Sequence, residues 1–194
     1  MAPKRGETMG IDAKRTALLV IDVLEGGDHD AVYDHAIESF ENSCVAVVDA
    51  CRVVGIQVIF CNDAHRSGTD RELALWGDHG IAGSPEARTA SALGACESDI
   101  TIPKRRYDAF FQTDLDLTLR ELGVDTVIAI GCDTNICVLQ TLAGAFFRNY
   151  GSIVVEEAMR TFLVGTQEEG IEYFKRCYGT RVLDLEGFLR SIAE

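Results

Sequence analysis

Thr126-Val127-Ile128-Ala129-Ile130-Gly131-Cys132-Asp133-Thr134-Asn135-Ile136-Cys137-Val138 is the stretch that decides the fold of this 194-residue chain. Its first five residues carry no charge and are rich in β-branches, the pattern of a strand covered on both faces. Gly131 breaks the run, and Thr134 is placed to cap a following helix. Asn135, Ile136 and Cys137 are then the first three helical positions, where unpaired N–H groups and the positive dipole end favour a thiolate. A thiol above the carboxyl end of a parallel strand also stands where open α/β sheets bind ligands. Spacing alone leaves open the plainer reading, that Cys137 is one more inert buried cysteine.

Outward from this stretch, the same alternation repeats. Thr16–Ile21 is an apolar strand ending on Asp22, and a loop rich in glycine and aspartate follows at residues 25–30. From Ala31 to Val54, apolar residues at 32, 36, 37, 40, 44, 47, 48 and 51 have helical periodicity. Ile56–Phe60 is a second strand, and a long irregular stretch runs from Asn62 to Ser98; loops of that length tend to be functional. Ile100–Ile102 is a brief edge strand. Thr113 caps a helix with Leu115, Leu119 and Leu122 inward, and the Cys137 helix turns Leu139, Leu142, Ala143 and Phe146 inward. Ser152–Val155 is a further strand, Thr166–Cys177 a helix, Arg181–Leu183 extended, and Leu185–Ile192 a terminal helix. The reading predicts a three-layer α/β/α fold with a mainly parallel, Rossmann-like sheet of about six strands. Residues 1–14 form a polar leader and residues 15–194 a single domain.

Composition narrows the function. Seven cysteines without C-x-x-C spacing argue against a disulfide framework or a structural zinc site, and for reduced thiols in the cytoplasm. A net charge of −13 excludes the basic stripe of a general nucleic-acid binder. No apolar run approaches the ~18 residues of a membrane span, and the first fifteen residues lack a signal-peptide core.

Right-handed crossovers bring the carboxyl ends of parallel strands to one edge of the sheet. Asp22, Asp63 and Cys137 therefore lie on one edge, with Asp22 and Cys137 facing each other across a crevice, and an aspartate beside five apolar residues gains a raised pKa suited to accepting a proton. Asp22 reads equally as a loop residue satisfying backbone donors.

Three segments, Leu18–Asp22, Lys104–Leu115 and Gly131–Val138, resemble the isochorismatase-like cysteine hydrolases, a family that includes nicotinamidases. The resemblance runs in order from about Thr16 to Met159. It implies a catalytic triad of Asp22, Lys104 and Cys137, with Asp22 taking the thiol proton, Lys104 orienting it, and Cys137 attacking an amide carbonyl. It also implies an oxyanion hole from the backbone of Asp133 and Cys137, beside a cis peptide joining Cys132 to Asp133. Asp63, His65 and His79 match the family's metal ligands, so one divalent ion, zinc or similar, is implied and no organic cofactor. Trp76 and Cys132 fall at the substrate pocket. His29 and His35 read as surface residues. The implied substrate is a small, nicotinamide-like amide cleaved to acid and ammonia, and the implied assembly a dimer or tetramer. Two readings stay beside this one: vinyl-ether hydrolysis of isochorismate type, which needs no thiol, and a non-catalytic protein with an oxidation-sensing thiol. The chain departs from the nicotinamidase pattern after Asp22, where the usual aromatic is absent. It departs again at Asp108 and Asp133, whose carboxylates, if near the pocket, disfavour an anionic ligand.

Overall fold

β1 (Thr16–Ile21) is buried along its whole length, as its uncharged sequence demands. The structure, a computed structural model, describes residues 10–26 and 35–193, with His35 and Ala36 by backbone alone. His29, the side chain of His35, the loop from Gly27 and the first four residues of the predicted first helix lie outside the described residues.

In chain order the elements are β1, α1 (His35–Val54), β2 (Gln57–Asp63), a short α2 (Leu73–Trp76), β3 (Ile100–Lys104), α3 (Leu115–Glu121), β4 (Thr126–Cys132), α4 (Leu139–Phe147), β5 (Gly151–Arg160), α5 (Gln167–Tyr173), β6 (Arg181–Leu183) and α6 (Leu185–Ile192). The six strands form one parallel sheet in the order β3-β2-β1-β4-β5-β6. Pro103 lies in edge strand β3, where its missing N–H deprives only solvent. Alternate residues of β1 feed two cores. Leu18 and Val20 pack with Phe40, Cys44, Val48 and Phe188 from α1 and α6. Leu19 and Ile21 pack with Leu115, Leu119, Leu142 and Ile171 from α3, α4 and α5. Helices thus cover both faces, giving the three-layer α/β/α architecture. Among the described residues no helix is long and apolar enough to cross a membrane.

Several expectations are corrected. The end of the polar leader packs on the domain: Ala13–Arg15 forms a 3₁₀ turn capped by Asp12, and Ile11 N–H donates to Ser191 O at 3.0 Å. β2 and β5 run further than their apolar segments because each finds ladder partners beyond them, β2 to Asp63 against Lys104 and β5 to Arg160 against Cys132. Leu122 and Phe146 face outward, Leu122 because α3 ends at Glu121 and Phe146 because the last turn of α4 lies against Tyr178 at the surface. The long irregular stretch is folded rather than loose. It pairs back through single bridges, His65 with Ile81 and Leu24 with Thr89.

The topology places the crevice. From β1 the chain steps outward through β2 and β3, then returns to the other side of β1 as β4. The switch point therefore lies at the carboxyl ends of β1 and β4, where ligands bind in such sheets. Gly131 permits the close approach there: its φ is +115° and an added Cβ would sit 2.0 Å from the carbonyl oxygen of Ile21. Gly131→Ala is expected to destabilise the protein by about 2 kcal/mol or more, from strained φ and backbone overlap. Urea unfolding monitored by circular dichroism measures it.

Candidate active site

Lys104 ends β3, and its side chain is wholly buried. An ammonium is removed from water only where opposite charge surrounds it. Here Nζ lies 2.6 Å from Asp22 Oδ2 and 2.6 Å from Asp63 Oδ1, and donates to Cys137 Sγ at 3.6 Å. The three predicted catalytic residues are therefore together, each at the carboxyl edge of a different strand or in the turn beyond it. Asp22, with φ +50°, turns its other oxygen to accept the N–H of Asp63 at 2.8 Å. Its Oδ2 pairs with the ammonium, and the carboxylate also faces the thiol of Cys137.

Electrostatics separates the two carboxylates. Burial, and then the charge of Asp63, raise Asp22 to about 6, against the pull of Lys104. Asp63 is also opposed by burial, yet Lys104 and His65 bring it down to about 2. Lys104 is held well above its ordinary value: burial works against the charge, but Asp22, Cys137 and Asp63 outweigh it. For Cys137, burial raises the thiol well above its usual range and Lys104 only partly offsets this. The thiolate expected from the helix terminus is thus overridden by desolvation. A thiol so raised needs a base at the moment it reacts, and the carboxylate of Asp22 stands beside it.

The turn carrying Cys137 differs from expectation by one residue. Asp133, not Thr134, is the cap: its side chain accepts from Asn135 N–H at 2.8 Å. Thr134–Val138 forms a π-helical turn, with Val138 N–H reaching back to Asp133 O at 3.1 Å, before α4 continues. The Cys132–Asp133 peptide is cis.

Asp63, His65 and His79 also converge, with one ligand atom from each lying within 4.8 Å of the others. Each imidazole uses Nδ1 on an acceptor, His65 on Asp70 Oδ2 at 3.3 Å and His79 on Gly77 O at 2.8 Å. That turns Nε2 of each ring toward Asp63 Oδ2, at 3.5 and 3.9 Å. Such outer partners are what fix ligating histidines. Glu72, which sequence reasoning missed, brings Oε2 to 3.6 Å from His65 Nε2. His65 Nε2 and both Glu72 oxygens are buried without hydrogen-bond partners. Orphaned atoms of this kind around one point, nitrogen and oxygen donors together, fit a divalent cation. Gly80 makes room for the cluster, since an added Cβ would meet Asp63 Cβ at 2.6 Å.

Both groups open into one cavity of about 670 Å³. Trp76 and Cys132 line it, and so do Tyr107, Ile136, Phe162 and Leu163, which no sequence signal singled out. Trp76 Nε1 donates to Tyr107 Oη at 2.8 Å, joining two aromatic side chains in one wall. The two departing carboxylates do not threaten a ligand. Asp108 is outside the described cavity lining, and its Oδ1 accepts Phe110 N–H at 2.8 Å. Asp133 turns its carboxylate away to backbone and hydroxyl donors.

A buried thiol, an acceptor carboxylate and a lysine at the switch point of a parallel α/β sheet define a cysteine hydrolase. The chain belongs to the isochorismatase family: residues 16–186 match the Isochorismatase domain. The uncharacterized isochorismatase family protein YwoC of Bacillus subtilis is 34% identical over 160 residues, covering 80% of this chain and 82% of that protein. Among solved structures, N-carbamoylsarcosine amidase from Thermoplasma acidophilum superposes with a TM-score of 0.81 at 31% identity, covering 89% of this chain and 97% of the other. The pyrazinamidase/nicotinamidase of Streptococcus mutans UA159 gives a TM-score of 0.78 at 27% identity, covering 87% of this chain and 99% of the other.

Removing the buried ammonium leaves two carboxylates facing each other. Lys104→Met is expected to cost about 3–5 kcal/mol at pH 7. Part of that loss should return at pH 5, because uncompensated carboxylates bind protons more tightly in the fold than in the unfolded chain. Urea unfolding at the two pH values checks both the size and the sign.

Proposed function

We propose that this site hydrolyses a small, uncharged amide to its acid and ammonia through a thioester on Cys137, with nicotinamide the first substrate to test. The enzyme class, a hydrolase of carbon–nitrogen bonds other than peptide bonds, is that of the amidases the chain resembles. The observation that carries the reading is the buried carboxylate of Asp22, pushed up to about 6 and facing the thiol of Cys137 in the cavity, with Lys104 paired to it at 2.6 Å.

Asp22 accepts the proton of Cys137 as sulfur bonds to the amide carbon. Lys104 stays charged throughout and holds both carboxylates in place. Backbone N–H groups of Asp133 and Cys137 receive the oxyanion, the arrangement that stabilises tetrahedral intermediates. Asp22 then returns its proton to the departing nitrogen, the carbon–nitrogen bond breaks and ammonia leaves. Water, deprotonated by Asp22, cleaves the thioester and restores the thiol. Asp63, His65, His79 and Glu72 would hold a divalent ion, which when bound supplies positive charge and polarising power at the cavity wall.

Charge and shape support an uncharged substrate. The described lining of the cavity includes Asp78 and Glu86 but no lysine or arginine, so a carboxylate-bearing amide would meet repulsion and no cationic side chain, a bound divalent ion being its one source of attraction. Trp76, Tyr107 and Phe162 offer flat surface to a ring.

Ammonia release from nicotinamide, benzamide, acetamide and N-carbamoylsarcosine, with wild type and Cys137→Ala, tests the proposal. Turnover of an uncharged amide that vanishes in Cys137→Ala is expected; no turnover of any amide overturns it. Asp22→Asn should lower kcat by about 10²–10⁴-fold. The acid limb of kcat/KM should fall as pH drops below about 6, where Asp22 takes up its proton and ceases to be a base. For the metal, dialysis against cobalt(II) should give one equivalent per chain with an absorption band that His65→Ala abolishes.

A further inference from the structure

The side chain of Asp133 takes no part in the chemistry above, yet it is buried and fully engaged. Its Oδ1 accepts from Asn135 N–H at 2.8 Å and the Thr161 hydroxyl at 2.9 Å. Its Oδ2 accepts from the N–H groups of Phe162 at 2.8 Å and Leu163 at 3.0 Å. A carboxylate has about four lone-pair positions, and all are occupied here. Three of the four donors belong to the single segment Thr161–Leu163, which leaves β5 where Arg160 pairs with Cys132.

Asn135 grips the same segment from the same turn. Its Nδ2, with two hydrogens to donate, lies 2.5 Å from Val164 O, 3.0 Å from Thr166 O and 3.2 Å from Thr161 Oγ1. Apolar burial does little to hold these residues, because Phe162, Leu163 and Val164 are each almost half exposed. What fixes the backbone is the pair of polar side chains two residues apart, just ahead of the nucleophile. Phe162 and Leu163, so fixed, form part of the cavity lining.

We propose that Asp133 is a specificity-determining positioning residue: its carboxylate straps the segment Thr161–Leu163 to the nucleophile's turn and thereby sets an apolar wall that selects substrates with a flat or apolar body. As a statement about substrates it rests on the amidase reading; as a statement about the wall it does not. Asp133→Asn is the natural probe. The carboxamide keeps the size but offers one acceptor oxygen, and turns an NH₂ group toward N–H donors that need acceptors. Two of the four bonds should be lost and the wall released.

The test uses alkylation of Cys137, which needs no turnover. Wild type, Asp133→Asn and Phe162→Ala are treated with N-phenylmaleimide and with N-ethylmaleimide, and the rate at Cys137 is read by peptide mass, since the exposed Cys96 and Cys177 react as well. The ratio of the two rates cancels any change in the thiol itself. Phenyl-over-ethyl preference should fall at least threefold in both variants, and kcat/KM for benzamide should fall at least threefold more than for acetamide. A maleimide ratio within twofold of wild type in folded Asp133→Asn, or one that rises, overturns the proposal. A purely structural role would lower both rates together and leave the ratio alone. If Asp133→Asn does not fold, Thr161→Val, which removes one donor, decides by the direction of the ratio: a fall supports the strap, and no fall overturns it. Wild-type protein that releases no ammonia from any amide overturns the hydrolase reading alone, while the maleimide ratio still decides the wall.

Discussion

A lysine ammonium with no exposure to water has to be neutralised where it stands, and the geometry around Lys104 follows from that requirement. Its charge faces Asp22 from the end of β1, Asp63 from the end of β2 and the thiol of Cys137 beyond β4. Three strand ends are tied to one point, so the charge cluster and the switch point of the sheet are the same place. Burial then does opposite things to neighbouring groups. It keeps Asp22 basic enough to accept a proton and keeps the thiol protonated, while Asp63, which faces His65 as well as Lys104, stays ionised.

Asp63 also joins two halves of the site. One oxygen belongs to Lys104, and the other faces the imidazoles of His65 and His79. The carboxylate that neutralises the lysine is thereby the one that can anchor a cation. A second economy lies in the turn at Asp133–Asn135. It leads directly into the nucleophile, and its two side chains hold the segment carrying Phe162 and Leu163. The position of the reacting atom and of part of the substrate wall thus share one short piece of backbone.

Much of this was legible in residue order because the relevant segments are buried on both sides. A strand in the middle of an α/β sheet has to be apolar throughout, so Thr16–Ile21 and Thr126–Ile130 announced themselves and pointed to Asp22 and to the turn beyond Gly131. The ends of β2 and β5 were not legible, because residues such as Asn62 and Arg160 extend only by pairing with neighbours. Leu122 and Phe146 misled for the converse reason: helical spacing names a face but cannot say where the packed part of that face stops.

By itself the sequence determined the layered fold, the end of β1 and the turn after β4 and, through its resemblance to a family, pointed to a candidate triad and three of the four candidate metal donors. Tertiary structure alone decided the rest. Glu72, Asp70, Tyr107 and Phe162 come from loops whose residues carry no periodicity, and they meet only when those loops fold across the carboxyl edge of the sheet. The state of Cys137 and the role of Asp133 likewise depended on surroundings. A thiol's ionisation is fixed by burial and neighbouring charge, and a carboxylate repels a ligand only if its lone pairs are not already taken by N–H groups from another part of the chain.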